Sequence, residues 1–483
     1  MEFNSSTIPS YGDISESASV ASRTFEEQVK CLIAASEEKI GRLEVQVRDL
    51  LCIRDRERGL VATLKLIIAP IRKLPAELLT EIFLYTGVTK RDVIRISHVC
   101  AYWRQLSHNT PALWRRALPA KVAKSDSPEH VAAAKAWLDR SAPLTIPMTF
   151  ASTISPAVLD LLLSTAPRWE TLDVNDRPHV LTALAKLPSD ALKQLRAVQI
   201  YGKRDGHLGI TSAFLCAPLL RGVTLSIAPF TEDFPMPWAQ LTQLILTDPR
   251  LHICLSILVQ CTSLVYANID TDMDGDSFSI PELVTLPELQ TFFLSIPGGN
   301  IAPCFQSLTL PKLTKLELRH YSTDTLQWPL AASSVFPQFL RRSQNLRYFS
   351  LYHCNLNPRE LYDILLHSPS LTELVLENCR DCIDDFLLSA LQYSLNETVH
   401  LAPRLQRLKI HFVDDCFDED VLESMICSRW WTADDLSALT APPPVAAWKY
   451  VSIWRAGNTL PFTPSFEIKM QQLKAQGLDV NVA

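Results

Sequence analysis

Glycine is scarce in this chain, 13 residues in 483. That shortage works against folds built on Gly-rich phosphate loops, where the backbone must approach a ligand with no Cβ in the way. No Walker loop, GxGxxG, HExxH or GxSxG is present, which leaves the common nucleotide, metalloprotease and hydrolase chemistries without a carrier. No stretch approaches 18 uninterrupted apolar residues, so no membrane-spanning helix is expected. Positive charge is not in excess either. Lys and Arg number 46 against 52 Asp and Glu, for a formal net charge of −6, whereas a general nucleic-acid binder carries a basic surface. The opening residues, MEFNSSTIPSYGDISESASV, lack the basic and apolar regions of a signal peptide. Twelve cysteines are scattered along the chain, mostly in apolar segments, and read as reduced core thiols. A setting inside the cell, cytosol or nucleus, is therefore expected, with no cofactor, no metal, no nucleic acid and no membrane.

What is present begins with a Ser-rich, apolar-poor segment over 1–23 that reads as disordered. Residues 24–70 then carry a heptad pattern. Ile33, Ile40, Val47, Val61 and Ile68 occupy one seam position, and Val29, Leu43, Leu50, Leu64 and Ile71 the other. Ser36, Arg54 and Glu57 interrupt it. The pattern predicts a coiled-coil helix roughly 60 Å long. The seam suits a second copy of the chain, giving a homodimer, or the same helix folded back on its own protein.

Pro70 ends that pattern, and a denser apolar cluster follows over 71–118. In LPAELLTEIF, Pro75 suits a first helical turn and Glu77 complements the positive end of the helix dipole. Leu78, Leu79, Ile82 and Phe83 form an apolar stripe. Thr89 and Asp92 have capping-box spacing ahead of a second helix bearing Val93, Ile96, Val99, Cys100 and Trp103. Thr110-Pro111 is expected to cap and start a third, with Leu113 and Trp114. Three short helices cannot bury this much Leu, Ile, Phe and Trp among themselves, so part of the surface calls for a partner.

Those three pieces, LPAELLTEIF, ISHVCAYWRQL and TPALWRRAL, together resemble an F-box, and a helical coil feeding straight into the box is similar to the F-box families of mushroom-forming fungi. The resemblance implies a three-helix module that binds a Skp-family adaptor and, through it, a cullin. It points to Leu74, Pro75, Glu77, Leu78, Ile82, Phe83, Val99, Cys100, Trp103, Leu113 and Trp114 as adaptor-binding residues. The plainer reading is a helical cap that uses its tryptophans as ordinary core.

Residues 119–441 are self-similar. Ten segments from APRWETLDV to APRLQRLKI fit L-x-x-L-x-L, with central positions running from Leu172 to Leu408. Most are 21 to 26 residues apart, and two wider gaps of 33 and 34 place insertions near 321–336 and 381–400. The spacing resembles a leucine-rich repeat, an α/β solenoid with one parallel strand per repeat and the sheet on its concave face. AVLDLLLSTA, LHICLSILVQ and RELYDILLHS supply return helices. Cys354 and Cys379 fall on the family's Asn/Cys position and are expected to be buried. PLTIPMTF adds an earlier strand. Residues 442–483 open on a Pro-rich break and hold a late strand, WKYVSIW, with a closing helix and edge strand.

Two chemical motifs are weak. Cys379-x-x-Cys382 has no second pair at zinc spacing. DTDMDG from Asp270 imitates a calcium loop, but position 12 is Pro281 where a bidentate Glu is needed. Nothing supports catalysis. The functional expectation is the substrate receptor of a Skp–cullin–F-box ubiquitin ligase, holding an unidentified target protein, with a repeat scaffold acting without the ligase as the alternative. In each strand the residues alternating with the leucines face the open side of the sheet. Phe293, Arg319, Tyr348 and Tyr352 form the expected target-binding patch there. Against that stands the pairing of Glu373 with Arg407 across neighbouring strands, which would recognise nothing.

Overall fold

A computed structural model of the protein describes residues 23–482 except 87–88, 116–126, 151–153, 176–177, 204–212, 229–233, 273–282, 298–301, 321–325, 328–334, 380, 395–398, 414–416, 433–434, 436–441 and 456–460. The expectation of disorder over 1–23 lies, apart from Arg23, outside the described residues, as does most of the calcium-like loop. The chain divides into two compact units, residues 1–82 and 83–483. The division falls inside one helix, Ala76–Thr86.

The first unit is dominated by a single helix, Arg23–Ile68, of 46 residues. Apart from the half-buried Val29, its seam residues are exposed, from 47% for Val61 to 71% for Ile68. Charged pairs one turn apart, such as Lys30 with Glu26 at 2.8 Å, support the polar faces modestly. Ile71, placed in the seam above, lies beyond the helix in a 3₁₀ turn, Pro70–Lys73, because Pro70 has no N–H to continue the ladder.

Beyond Ala76–Thr86, the described residues up to 115 hold three short helices where the sequence suggests two. Lys90–Val99 starts on the Thr89–Asp92 capping box, which is formed in both directions. It stops at Cys100, whose extended backbone (φ −159°, ψ 170°) breaks what the sequence suggests is one helix. Ala101–His108 then begins afresh, with the Cys100 Sγ accepting from the Trp103 N–H at 3.4 Å. Pro111 takes the first position of Pro111–Trp114 as expected, but Thr110 does not cap it. Its hydroxyl donates to the Leu106 carbonyl at 2.8 Å instead.

After the helix Pro128–Ser141, thirteen parallel strands form one sheet whose spatial order is the chain order. It runs from Ile146–Phe150 through Trp169–Asn175 and onward to Tyr450–Arg455 and Asp479–Val482. All ten repeat segments are strands of this sheet, as are PLTIPMTF, WKYVSIW and the last residues. The Pro-rich break therefore does not end the array; Tyr450–Arg455 pairs in register with Arg407–Val413. The return helices are Pro156–Leu163, Leu251–Gln260 and Pro358–Leu366, among others. Leu172, Leu244, Leu316, Leu374 and their equivalents among the ten repeats are at most 2% exposed and make one continuous apolar core with these helices. Cys354 and Cys379 are buried in it, as their position in the repeat requires.

One backbone device recurs. The carbonyl just ahead of a strand accepts two consecutive N–H groups from the next repeat: Arg196 from Arg221 and Gly222, Arg221 from Thr242 and Gln243, and so on to Gln406 from Lys449 and Tyr450. The register of each strand is thereby tied to that of its predecessor. At or near the ends of several strands the chain passes through a left-handed residue: Asp248, His353, Asn378 and Phe412 have φ of 64°, 56°, 53° and 58°. Other folds put glycine at such positions; here other residues bear the strain.

Candidate functional site

Two surfaces account for the residues singled out by sequence. In the F-box segment the structure separates them into surface and core. Pro75 and Glu77 are exposed, Leu78 and Ile82 are exposed by 52% and 37%, and Leu74 is half-buried. Leu78 and Ile82 are one helical turn apart, so they share a face of Ala76–Thr86. Farther along, Val99 is 59% exposed, and Tyr102, not anticipated as a surface residue, is 50% exposed. Phe83, Leu113 and Trp114 are core instead, at 1%, 0% and 2% exposed, and have no side-chain surface to offer an adaptor. Phe83 packs on the half-buried Trp103 with ring centroids 4.8 Å apart. Trp114 stands edge-on to Trp137 at 4.9 Å, lies under the Arg140 guanidinium, and donates its indole N–H to the Ser107 carbonyl at 2.7 Å. Cys100 is half-buried and acts as a helix cap. Arg115 then reaches the Thr145 carbonyl at 2.6 Å and pairs with Glu170, joining the end of the segment to the first strands.

The second surface is the sheet face turned away from the return helices. Strand register arranges its residues in three rows. Tyr266, Thr291, Lys315, Tyr348, Glu373, Arg407 and Tyr450 form the first; Asp270, Ser295, Arg319, Tyr352, Glu377, His411 and Trp454 form the third. The middle row was expected to face outward with them. Its members Glu317, Ser350, Val375 and Ser452 are nevertheless 4%, 0%, 4% and 0% exposed, because the long side chains on either side close over them.

The four expected target residues fall into two sets, each built on a cation over aromatic rings. The Lys315 ammonium sits 5.0 Å from the Phe293 ring centre and 4.3 Å from that of Tyr348. The Arg319 guanidinium lies 4.8 Å over Tyr352 and pairs with Glu317 on its own strand. Burial pushes the Tyr348 hydroxyl up to about 12, so it stays a neutral hydrogen-bonding group. The competing expectation is also realised, since Glu373 pairs with Arg407 at 3.3 Å and with Lys409 at 3.6 Å. That half of the face is knit together internally. Phe293 and Arg319, by contrast, line a cleft of about 410 Å³ together with Tyr266, Asp270, Lys315 and Glu317. This is within the range of sites for small ligands or short peptide segments.

Sequence reasoning missed an aromatic end to the third row. His411 stacks on Trp454 with centroids 4.4 Å apart, accompanied by Phe412. The alternation in WKYVSIW carries that signal, since it places Tyr450, Ser452 and Trp454 on the open side. Among the described residues no group of three or more His, Cys, Asp or Glu is placed to hold a metal ion, and Cys379 and Cys382 are buried thiols. None of the described helices is long and apolar enough to cross a membrane.

A family model described as F-box-like matches residues 71–119. No curated protein matches the chain. Among solved structures, a protein from Bacteroides fragilis is similar over 72% of this chain and 76% of its own, at 10% identity and a TM-score of 0.27. A likeness that faint carries no argument. The chain thus contains an F-box-like domain, followed by a parallel repeat array.

Proposed function

We propose that this protein is the substrate receptor of a Skp–cullin–F-box ubiquitin ligase, working in cytosol or nucleus. The F-box-like segment binds the Skp-family adaptor and through it the cullin, while the open face of the sheet holds the target. The observation that carries this reading is the apolar surface left uncovered in the matched segment, above all Leu78 and Ile82 on one face of Ala76–Thr86 beside Pro75. Residues of that size exposed together favour a protein partner. The mechanism is proximity: the receptor grips ligase and target at once, so that target lysines meet the ubiquitin-loaded enzyme at high effective concentration. No residue of this chain need touch the bond being made, and the protein is not itself an enzyme.

Phe293, Arg319, Tyr348 and Tyr352 are proposed to contact the target, since aromatics with Arg are favoured anchors. Replacing Leu74 and Pro75 with Ala and Leu78 with Glu is expected to abolish co-purification of the adaptor while the protein stays soluble with unchanged melting temperature. Undiminished co-purification would refute the receptor reading.

A further inference from the structure

The cleft on the open face has a charge pattern of its own. Of its four charged residues, Glu317 and Arg319 neutralise each other. Asp270 and Lys315 are left. Among the described residues no Lys or Arg pairs with Asp270, and no Asp or Glu pairs with Lys315. Lys315 is held instead by the faces of two rings, Phe293 and Tyr348, which fix its position without cancelling its charge. The cleft therefore presents one fixed negative and one fixed positive charge, with the Tyr266–Phe293 aromatic pair between them.

We propose that this cleft takes an extended peptide segment of dipolar charge, its basic side chain against Asp270 and its acidic side chain against Lys315. Register gives the spacing. Lys315 lies level with Tyr266, and Asp270 is four residues farther along that strand. The offset is roughly 13 Å along the strands and roughly 10 Å across two of them. Long side chains reaching inward from both partners span that diagonal when base and acid stand about four positions apart in an extended segment. The Tyr266 and Phe293 rings supply apolar contact to the residues between. Asp270 also stands to gain from a cation: burial raises its pKa, and the Asp248 carboxylate raises it further. A guest ammonium or guanidinium would relieve both effects.

This inference rests on the reading of the open face as the target surface, and its test is independent of the ligase. Blocked peptides Lys-Ser-Gly-Ser-Glu, Gln-Ser-Gly-Ser-Gln and the two singly charged forms are immobilised in an array and probed with the full-length chain. The dipolar peptide should retain about three- to tenfold more protein than the neutral one, a difference of about 1 kcal/mol. Asp270→Asn should erase the preference for Lys over Gln and leave that for Glu. Lys315→Met should do the reverse. Melting temperatures of both variants are measured alongside to show that they are folded. Equal retention of dipolar and neutral peptides, no retention of either, or variants that keep both preferences would overturn the proposal. Adaptor co-purification from the same preparations separates the two levels: an adaptor-binding protein without the charge preference leaves the receptor reading intact and removes only the dipolar guest.

Discussion

Burial decides the chemistry of individual side chains here, and the thiols show it most directly. Cys254, Cys261, Cys304, Cys354, Cys379 and Cys382 are buried, and burial pushes the Cys379 thiol up to about 12. Cys31, Cys52 and Cys216 are exposed. Iodoacetamide on the native protein should therefore label the exposed three and spare the buried six until denaturant is added, as mass spectrometry of tryptic peptides would show. His411 is the second case. Burial beside Trp454 lowers its pKa, against a raising influence from Glu377 and with a lowering one from Lys409. Above its ordinary value of 6.5 the ring is neutral folded or unfolded and contributes nothing. As pH falls below 6.5 the unfolded chain takes up the proton first, so stability declines until the lower folded value is reached. His411→Asn should flatten the loss of urea stability between pH 7.5 and 5.5; an unchanged slope would show that this ring is not responsible. Arg429 is the residue least visible from sequence. Nothing in SRWW announces a guanidinium with no exposure, lying 4.9 Å over Trp448 and donating to the Ala402 carbonyl.

Elements were readable wherever apolar spacing alone determines them. The period of L-x-x-L-x-L places ten of the thirteen strands of the large sheet, because a strand buried on one face must put its apolar residues two apart. Helix ends were less so. Cys100 breaks a helix that apolar spacing would continue, since its sulfur caps Ala101–His108, and cysteine is not among the residues a cap search favours. The left-handed strand ends were invisible for a similar reason: without glycine nothing marks them. At His353, φ is 56°, and only glycine and, less readily, Asn or Asp adopt such a conformation at small cost. His353→Val is expected to lower stability by about 1–2 kcal/mol, with His353→Gly nearly neutral. Calorimetry on the pair checks it; equal losses would mean that the side chain matters and the backbone does not. The cleft on the open face was readable only in part. Alternation places Phe293 and Arg319 on the right face, but the pairing of Arg319 with Glu317 on one strand, and the closing of long side chains over the middle row, depend on rotamers that no periodicity encodes.

At the scale of the molecule, the exposed seam of Arg23–Ile68 is proposed to pair with a second copy, which would bring two receptors to one assembly and strengthen binding to a target with repeated sites. Light scattering of the full-length protein should give a dimer, and of a chain beginning at Ile68 a monomer. Two monomers would mean that the seam has another occupant. The array beyond it grows by addition, each repeat resting on its neighbours. The shared carbonyls, each taking two N–H groups from the repeat that follows, set a rule for how such a chain can change its length over generations. Loss of a single residue within a strand would throw two donors off one acceptor and turn every later side chain to the wrong face. Loss or duplication of a whole repeat of some two dozen residues would leave each carbonyl with an equivalent pair. Lineages carrying this architecture should thus differ by whole repeats or by insertions between strands, and very seldom by one residue inside them.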